Sequence, residues 1–350
     1  MLKKFTAFFM CMLLCAGLLG ACAGDPDKQD DPKVPVTDTP QTSTGEPDAD
    51  SEDSISIAAL KGPTALGLLK FMDDKSEDDA YAFNVYGAAD EIVAGIAKGS
   101  IDIACVPCNV ASVLYNRTKG GVQVAAINTL GVLYMLDSGE TVNSVADLKG
   151  KTIYTTGKGT TPEYTLRYIL SANGIDPDSD VTIEFKSEAT EIAAIFASAQ
   201  DGSDIIAMLP QPYVTVVTNN NPSVRVALDM SQEWNRIAGN NYGETVTGVT
   251  IVRKEFADAN PEAFSDFLKE YNSSIAYTVM NVEQAAELSE KFDIFAAAVA
   301  VKAIPECNIT YIDGDLMKLK VSAYLQALYD QNPQSVGGAM PGDDFYYGVE

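Results

Sequence analysis

Apolar and polar positions along the chain change repeatedly between the spacing of a strand and the spacing of a helix. Residues 81–86 alternate at a period of two, which is typical of a strand, and residues 54–60 and 101–106 are predicted as further strands. Residues 91–98 place their isoleucines on one face of a helix, which Gly99 ends. This alternation predicts an α/β fold with a mostly parallel sheet.

A second series of the same kind begins near Asp147. Its first strand is predicted over residues 151–156. The helix that follows has Thr161 as its predicted N-cap and Pro162 at its first position, and it ends at Asn173-Gly174. Further strands are predicted at 181–185, 205–209 and 247–252, followed by mostly helical sequence to residue 329 and a Gly/Pro-rich acidic tail over 337–350.

The composition narrows the possible functions. The 350 residues suffice for two lobes plus some non-globular sequence. With 24 Lys and Arg against 49 Asp and Glu, the net charge of −25 argues against binding to nucleic acid, which needs basic side chains to replace counterions.

The chain has no histidine, which removes Ser-His-Asp and Cys-His catalysis and His-ligated zinc. We expect no enzyme activity, no cofactor and no metal ion, and we interpret the clustered carboxylates as solvated turns.

The N-terminal residues predict export. Lys3 and Lys4 precede a short apolar run, so residues 1–21 are predicted to be a signal peptide. The run closes with Leu-Gly-Ala-Cys22, which resembles a bacterial lipobox and implies a lipidated Cys22; an ordinary signal peptide with a chance cysteine is the alternative. Residues 22–53 are rich in Asp, Pro, Thr and Ser, which predicts a disordered acidic tether on the outer face of a bacterial membrane.

Candidate binding residues follow the predicted strands, because ligands of open α/β sheets lie at the carboxyl ends of the strands. The strongest candidate is the turn that contains Lys158, Gly159, Thr160 and Thr161, since glycines permit close approach and a helix N-terminus attracts negative charge. An ordinary turn with a solvated lysine is the alternative. The other candidates are Gly62, Pro63, Thr64, Pro107, Cys108, Asn109, Gln211 and Trp234, the last of which is either a core residue or a ligand-stacking one.

The cysteines allow three interpretations. Cys105 and Cys108 form a CxxC motif between a strand and a helix, where thioredoxin-like proteins carry their redox thiols. A reversible structural disulfide is the second possibility, and packing of small apolar side chains is the third. Cys307 is predicted to be a free thiol. Because the order of elements is not that of thioredoxin, we favour packing.

Three stretches, at residues 90–104, 147–153 and 206–212, follow one another in a distinctive order. Together they resemble the substrate-binding proteins of bacterial ABC importers, in the group of aliphatic-sulfonate, taurine, nitrate and thiamine-pyrimidine binders. The resemblance implies a two-lobed, type II periplasmic-binding-protein-like fold with two crossover segments and a ligand cleft between the lobes. It places lobe 1 at 54–142 plus 246–350 and lobe 2 at 143–245.

The resemblance also implies the function. We expect a monomeric lipoprotein that delivers a small molecule to the transmembrane subunits of an ABC permease by closing its lobes. Gly159 to Thr161 are expected to face Gly62 to Thr64 across the cleft. Lys61 and Lys158 favour an anionic ligand, although a neutral or heteroaromatic one stays open. A ligand-sensing or surface-interaction lipoprotein and, less favoured, a thiol redox protein are the alternatives.

Overall fold

The structure is a computed structural model that describes residues 54–199, 203–238 and 243–349. The predicted signal peptide, the lipidated Cys22 and the acidic tether lie outside the described residues. None of the described helices is both long enough and apolar enough to cross a membrane.

Eleven strands and thirteen α-helices alternate along the described residues. The strands are β1 (Ile55–Leu60), β2 (Tyr81–Tyr86), β3 (Ile103–Pro107), β4 (Val122–Leu130), β5 (Leu133–Asp137), β6 (Thr152–Thr155), β7 (Thr182–Phe185), β8 (Ile206–Pro210), β9 (Arg225–Asp229), β10 (Val246–Arg253) and β11 (Ile309–Ile312). The helices are α1 (Pro63–Leu66), α2 (Leu69–Asp74), α3 (Ala89–Lys98), α4 (Cys108–Thr118), α5 (Thr161–Ala172), α6 (Ala189–Ala197), α7 (Tyr213–Asn220), α8 (Met230–Ala238), α9 (Lys254–Ala259), α10 (Pro261–Met280), α11 (Val282–Lys291), α12 (Ala297–Ala303) and α13 (Gly314–Gln331).

The strands form two sheets, one for each lobe. The first sheet has the order β11-β4-β10-β3-β1-β2, and the second has the order β7-β6-β8-β5-β9. β4 belongs to the first sheet and β5 to the second, so the chain first crosses between the sheets at residues 131–132. This crossing precedes the lobe boundary expected at residue 142. The return crossing lies between β9 and β10, close to the expected residue 246.

Both sheets are mixed, whereas the sequence predicted a mostly parallel sheet. β1 pairs in parallel with β2 and β3, and β6 pairs in parallel with β7 and β8. β5 runs antiparallel to β8 and β9, and β10 runs antiparallel to β3 and β4. β5 directly follows the first crossing and β10 is the first strand after the return crossing, so each enters its sheet from the opposite end. The reversal of β5 and β10 is therefore a consequence of the two-lobed topology.

Local sequence explains where the helices begin and end. α3 stops at Gly99, which has a left-handed φ of 78°, as the sequence predicted. α5 has Thr160 as its N-cap, one residue before the predicted Thr161, and Pro162 is its second residue. A proline fits either of these first positions, because the N–H that it lacks has no partner inside the helix.

The first lobe buries aromatic side chains on both faces of its sheet. On one face, Phe267 of α10 contacts Phe71 edge-on at 5.4 Å and stacks on Tyr271. The predicted acidic tail is also folded onto this lobe, because Phe345 and Tyr346 are buried. The N–H of Tyr347 donates to the carbonyl of Val124 at 2.9 Å, and a β-bridge joins Val124 to Tyr346. Residues 345–347 thus continue the edge that the short β11 begins, which protects β4 from pairing with another chain.

Candidate functional site

Asn109 joins the two lobes through its carboxamide. It is the second residue of α4 and is fully buried. Its Nδ2 donates to the carbonyl of Gly159 in the second lobe at 3.1 Å and to the carbonyl of Ser335 in the first lobe at 3.0 Å. Its Oδ1 accepts a hydrogen bond from the Thr161 hydroxyl at 3.2 Å. The strand ends of both lobes therefore meet directly at this residue.

The turn before α5 is shaped by its two glycines. Gly157 and Gly159 have φ values of 73° and 77°, which favour glycine over residues with a Cβ atom. A Cβ atom on Gly159 would have no heavy atom within 4 Å, so this backbone borders open space. Lys158 is exposed, and its ammonium lies 5.8 Å from the centre of the Phe185 ring. The turn can thus be approached by another molecule on the side of Lys158 and Gly159.

A glutamate that sequence reasoning missed occupies the N-terminus of α5. The Glu163 carboxylate is 8% exposed, and its Oε2 accepts the N–H of Gly159 at 2.7 Å. Its Oε1 accepts from Nε of Arg167 at 2.8 Å, and Arg167 also donates to Asp178 at 2.8 Å. A Glu in the first turn with an Arg four residues later was the available signal. The carboxylate and the helix N-terminus stabilise each other.

The turn at residues 62–64 lies at the matching end of β1 in the first lobe. Gly62, Pro63 and Thr64 are buried, and the Thr64 hydroxyl donates to the carbonyl of Leu60 at 3.0 Å. A Cβ atom on Gly62 would have no heavy atom within 4 Å. Among the described residues, the carbonyl of Gly159 accepts from Asn109 and the hydroxyl of Thr161 donates to Asn109, so this part of the second lobe bonds to Asn109 rather than to the turn at 62–64.

Gln211 begins the second meeting point of the lobes. It precedes a cis Gln211-Pro212 peptide bond, and its Oε1 accepts from the N–H and the hydroxyl of Thr215 at 3.2 and 2.9 Å. These bonds fix the first turn of α7. The ring of Tyr213 then contacts Phe295 of the first lobe edge-on at 5.2 Å. Burial raises the pKa of Tyr213, so its phenol stays neutral at physiological pH.

Trp234 is a core residue, which is the first of the two alternatives that the sequence left open for it. Its side chain has no exposed surface, and its indole N–H donates to the carbonyl of Gly243 at 3.1 Å. Its ring contacts Tyr168 and Tyr324 at centroid distances of 4.5 and 5.2 Å. All faces of the indole are covered by protein, which leaves no place for a stacked ligand.

The three cysteines of the described residues are free and buried. Cys105 lies 3.5 Å from the hydroxyls of Thr250 and Tyr271 inside the first lobe. Burial raises the pKa of Cys105, Cys108 and Cys307, which disfavours the thiolate that redox chemistry requires. This geometry supports the packing interpretation and gives no support to a disulfide. Within the same residues, no group of three Cys, Asp or Glu side chains is arranged to hold a metal ion.

Sequences similar to this chain include binding proteins from Brucella. Over 200 residues the chain is 26% identical to a binding protein of Brucella abortus, a match that covers 57% of this chain and 58% of the relative. The chain thus matches less than two thirds of the length of its curated relatives. A Brucella suis binding protein matches to the same extent.

Solved structures share the fold at low sequence identity. An ABC transporter structure from Parabacteroides distasonis has a TM-score of 0.67 at 23% identity, over 84% of this chain and 99% of that chain. The periplasmic aliphatic sulphonate binding protein SsuA from Escherichia coli has a TM-score of 0.65 at 17% identity, over 82% of this chain and 91% of that chain. The sequence model of the NMT1/THI5-like family matches residues 89–285, which is more than half of the sequence. The chain therefore belongs to the NMT1/THI5-like family.

Proposed function

We propose that this protein is the extracytoplasmic solute-binding component of an ABC importer, and that it hands a small molecule to the permease. The observation that carries the proposal is the meeting of Asn109 with Gly159 and Thr161 between the lobes. Ligands of open α/β sheets bind at such strand ends. Residues 62–64, 107–109, 158–161 and 211 are the proposed ligand surroundings.

The names of the structural relatives support this class of function. The Escherichia coli protein of this fold is a periplasmic sulphonate binder, and a Synechocystis protein with a TM-score of 0.52 is a periplasmic nitrate-binding protein. In our proposal no bond is made or broken. The ligand stabilises the closed arrangement of the lobes because its affinity for that arrangement is higher than for the open one.

A ligand screen followed by calorimetry tests the proposal. Thermal unfolding is measured with sulfonates, nitrate, pyrimidines and amino acids, because a ligand that binds only the folded state raises the unfolding temperature. The hit is then titrated into Gly159→Asn, since asparagine tolerates a positive φ and its side chain would enter the open space. We expect affinity to fall by at least about tenfold, or 1.4 kcal/mol.

Gly174→Asn is the matched control. Gly174 has a φ of 75°, also has open space where a Cβ atom would lie, and follows the other end of α5. It should bind like the wild type. Equal affinity in both variants would place the ligand away from the turn before α5. Transport itself is tested with vesicles that carry the cognate permease. If these vesicles take up no ligand when the protein is added, the transport function is refuted.

We further propose that the protein is lipid-anchored through Cys22. The support is the Leu-Gly-Ala-Cys22 sequence after an apolar run and the acidic segment that follows it. Cys22→Ser should release the protein from the membrane fraction and leave ligand affinity unchanged. Membrane fractionation that does not change, or an unmodified Cys22 found by mass spectrometry of the native protein, would contradict the anchor.

A further inference from the structure

We infer that the carboxylate of Glu163 occupies the position that an anionic ligand would take at the N-terminus of α5, so that the protein selects an uncharged or cationic solute. This inference rests on the proposed function and names the ligand class of the same site. It departs from the expectation that Lys61 and Lys158 make the ligand an anion.

The first support is the way in which Glu163 is held. Its two oxygens are each within 2.8 Å of a nitrogen, the N–H of Gly159 on one side and Nε of Arg167 on the other. Arg167 is itself held by Asp178 at 2.8 Å. Because the carboxylate is 8% exposed and doubly bonded to donors, it is a fixed part of the turn. A sulfonate or nitrate could reach the N–H of Gly159 only by displacing it.

The second support is that the threonine hydroxyls of the turn are engaged within the protein. The hydroxyl of Thr160 donates to the carbonyl of Gly157 at 2.7 Å, and the N–H of Thr160 donates to the same carbonyl at 3.0 Å. The hydroxyl of Thr161 donates to Asn109. An anion site built on a helix N-terminus needs several donors directed at the ligand. The described hydroxyl donors of this turn are directed at protein acceptors instead.

The third support is the distribution of charged side chains that follow the strand ends of the two lobes. The ammonium of Lys61 lies 3.9 Å from Asp293, and that of Lys158 lies near the Phe185 ring. In the second lobe the exposed Glu188 carboxylate approaches Gly87 of the first lobe, since a Cβ atom on Gly87 would lie 3.9 Å from Glu188 Oε1. A second negative charge therefore lies where the lobes face each other. Carboxylates at this position repel an anionic ligand and favour a cation or a hydrogen-bond donor.

Inorganic sulfate and ethanesulfonate are the probes that test the inference. Calorimetric titration of the wild type with either anion should give no saturable binding. Glu163→Ala frees the N–H of Gly159 and Nε of Arg167, so we expect this variant to give saturable binding of these anions, at least about tenfold tighter than the upper limit that the wild-type titration sets. Glu163→Gln, which keeps the size and removes the charge, should show a smaller gain. The thermal unfolding of both variants without ligand establishes that they are folded.

Glu191→Ala is the matched control. Glu191 is the third residue of α6 in the same lobe, and its carboxylate also accepts a backbone N–H, that of Glu188 at 3.1 Å. A gain of anion affinity in this variant as well would attribute the effect to any vacated helix N-terminus and overturn the inference. Stoichiometric anion binding by the wild type, or no gain in either Glu163 variant, would overturn it too. These results do not depend on the natural ligand, so they are distinct from failure of the proposed transport function.

Discussion

Two of the contacts between the lobes have opposite character. The α5 contact consists of Asn109, Thr161, Thr165 and Tyr324, which are all buried and joined by hydrogen bonds, including one of 2.7 Å between the hydroxyls of Thr165 and Tyr324. The α7 contact consists of Tyr213 against Phe295 and of the exposed Lys302, whose ammonium donates to the exposed Asn219 at 2.9 Å.

This difference indicates where the lobes can separate. Opening the α5 contact would expose several buried polar groups or leave them without a hydrogen-bond partner, and each group that loses its partner costs free energy. Water replaces the polar part of the α7 contact at little cost, because both side chains are already exposed. We therefore expect lobe motion to open the molecule at the α7 contact while the α5 contact stays closed.

The largest effect is expected at Asn109. Asn109→Leu removes three hydrogen bonds and leaves the carbonyls of Gly159 and Ser335 and the hydroxyl of Thr161 without this partner. We expect the free energy of unfolding to fall by about 3 kcal/mol, measured by urea unfolding.

Asn116→Ala is the control for this loss. Asn116 lies on the same helix and donates to the carbonyls of Val336 and Ala339, all within the first lobe. If Asn116→Ala lowers the free energy of unfolding as much as Asn109→Leu does, the hydrogen bonds between the lobes stabilise the protein no more than those within one lobe. The comparison between the two contacts then fails.

A smaller effect is expected at Tyr324. Tyr324→Phe removes one buried hydrogen bond and should lower the free energy of unfolding by about 1 kcal/mol. Adding Thr165→Val should cost little more, because the hydroxyl left without a partner is then also removed. A double-mutant cycle measures this coupling, and strictly additive losses would mean that the two hydroxyls act independently.

The burial of the Tyr324 phenol predicts that the free energy of unfolding depends on pH in the alkaline range. Burial raises the pKa of Tyr324, so the folded protein retains a proton that the unfolded chain releases above a pH of about 10. Stability is therefore complete below that pH and falls as the pH rises further. Tyr324→Phe should make the fall less steep in urea unfolding between neutral and alkaline pH, and an unchanged slope would exclude this group as a contributor.

The smallest effect is expected at Lys302. Lys302→Ala should change the free energy of unfolding by less than about 0.5 kcal/mol, because both partners are exposed. Lys269→Ala, whose exposed ion pair with Asp266 lies within one helix, is the comparison. A markedly larger loss for Lys302 than for Lys269 would show that the α7 contact also holds the lobes together.

Local patterns predicted much of the fold and little of the site. β1, β2 and α3 follow from periodicity and from Gly99, because these signals lie within a few residues of one another. The position of the first crossing does not follow, since only Gly131 and Val132 separate β4 from β5, which is as short as a connection within one sheet.

The role of Asn109 shows why the site was only partly predictable. The sequence placed this residue at a strand end, which is confirmed, but its partners Gly159 and Ser335 are 50 and 226 positions away. Trp234 could be either core or ligand contact until its neighbours Tyr168 and Tyr324 were known. Pairings between distant segments depend on tertiary packing, which periodicity does not encode.

The β-bridge between Val124 and Tyr346 has a consequence for the order of assembly during synthesis. The strands of the second sheet all lie between residues 133 and 229, so they emerge from the ribosome as one continuous segment. The first sheet requires β4 and a partner made more than 200 residues later. A chain that is still being synthesised therefore has a first lobe with an open edge at Val124, which can close only after residue 346 has been made.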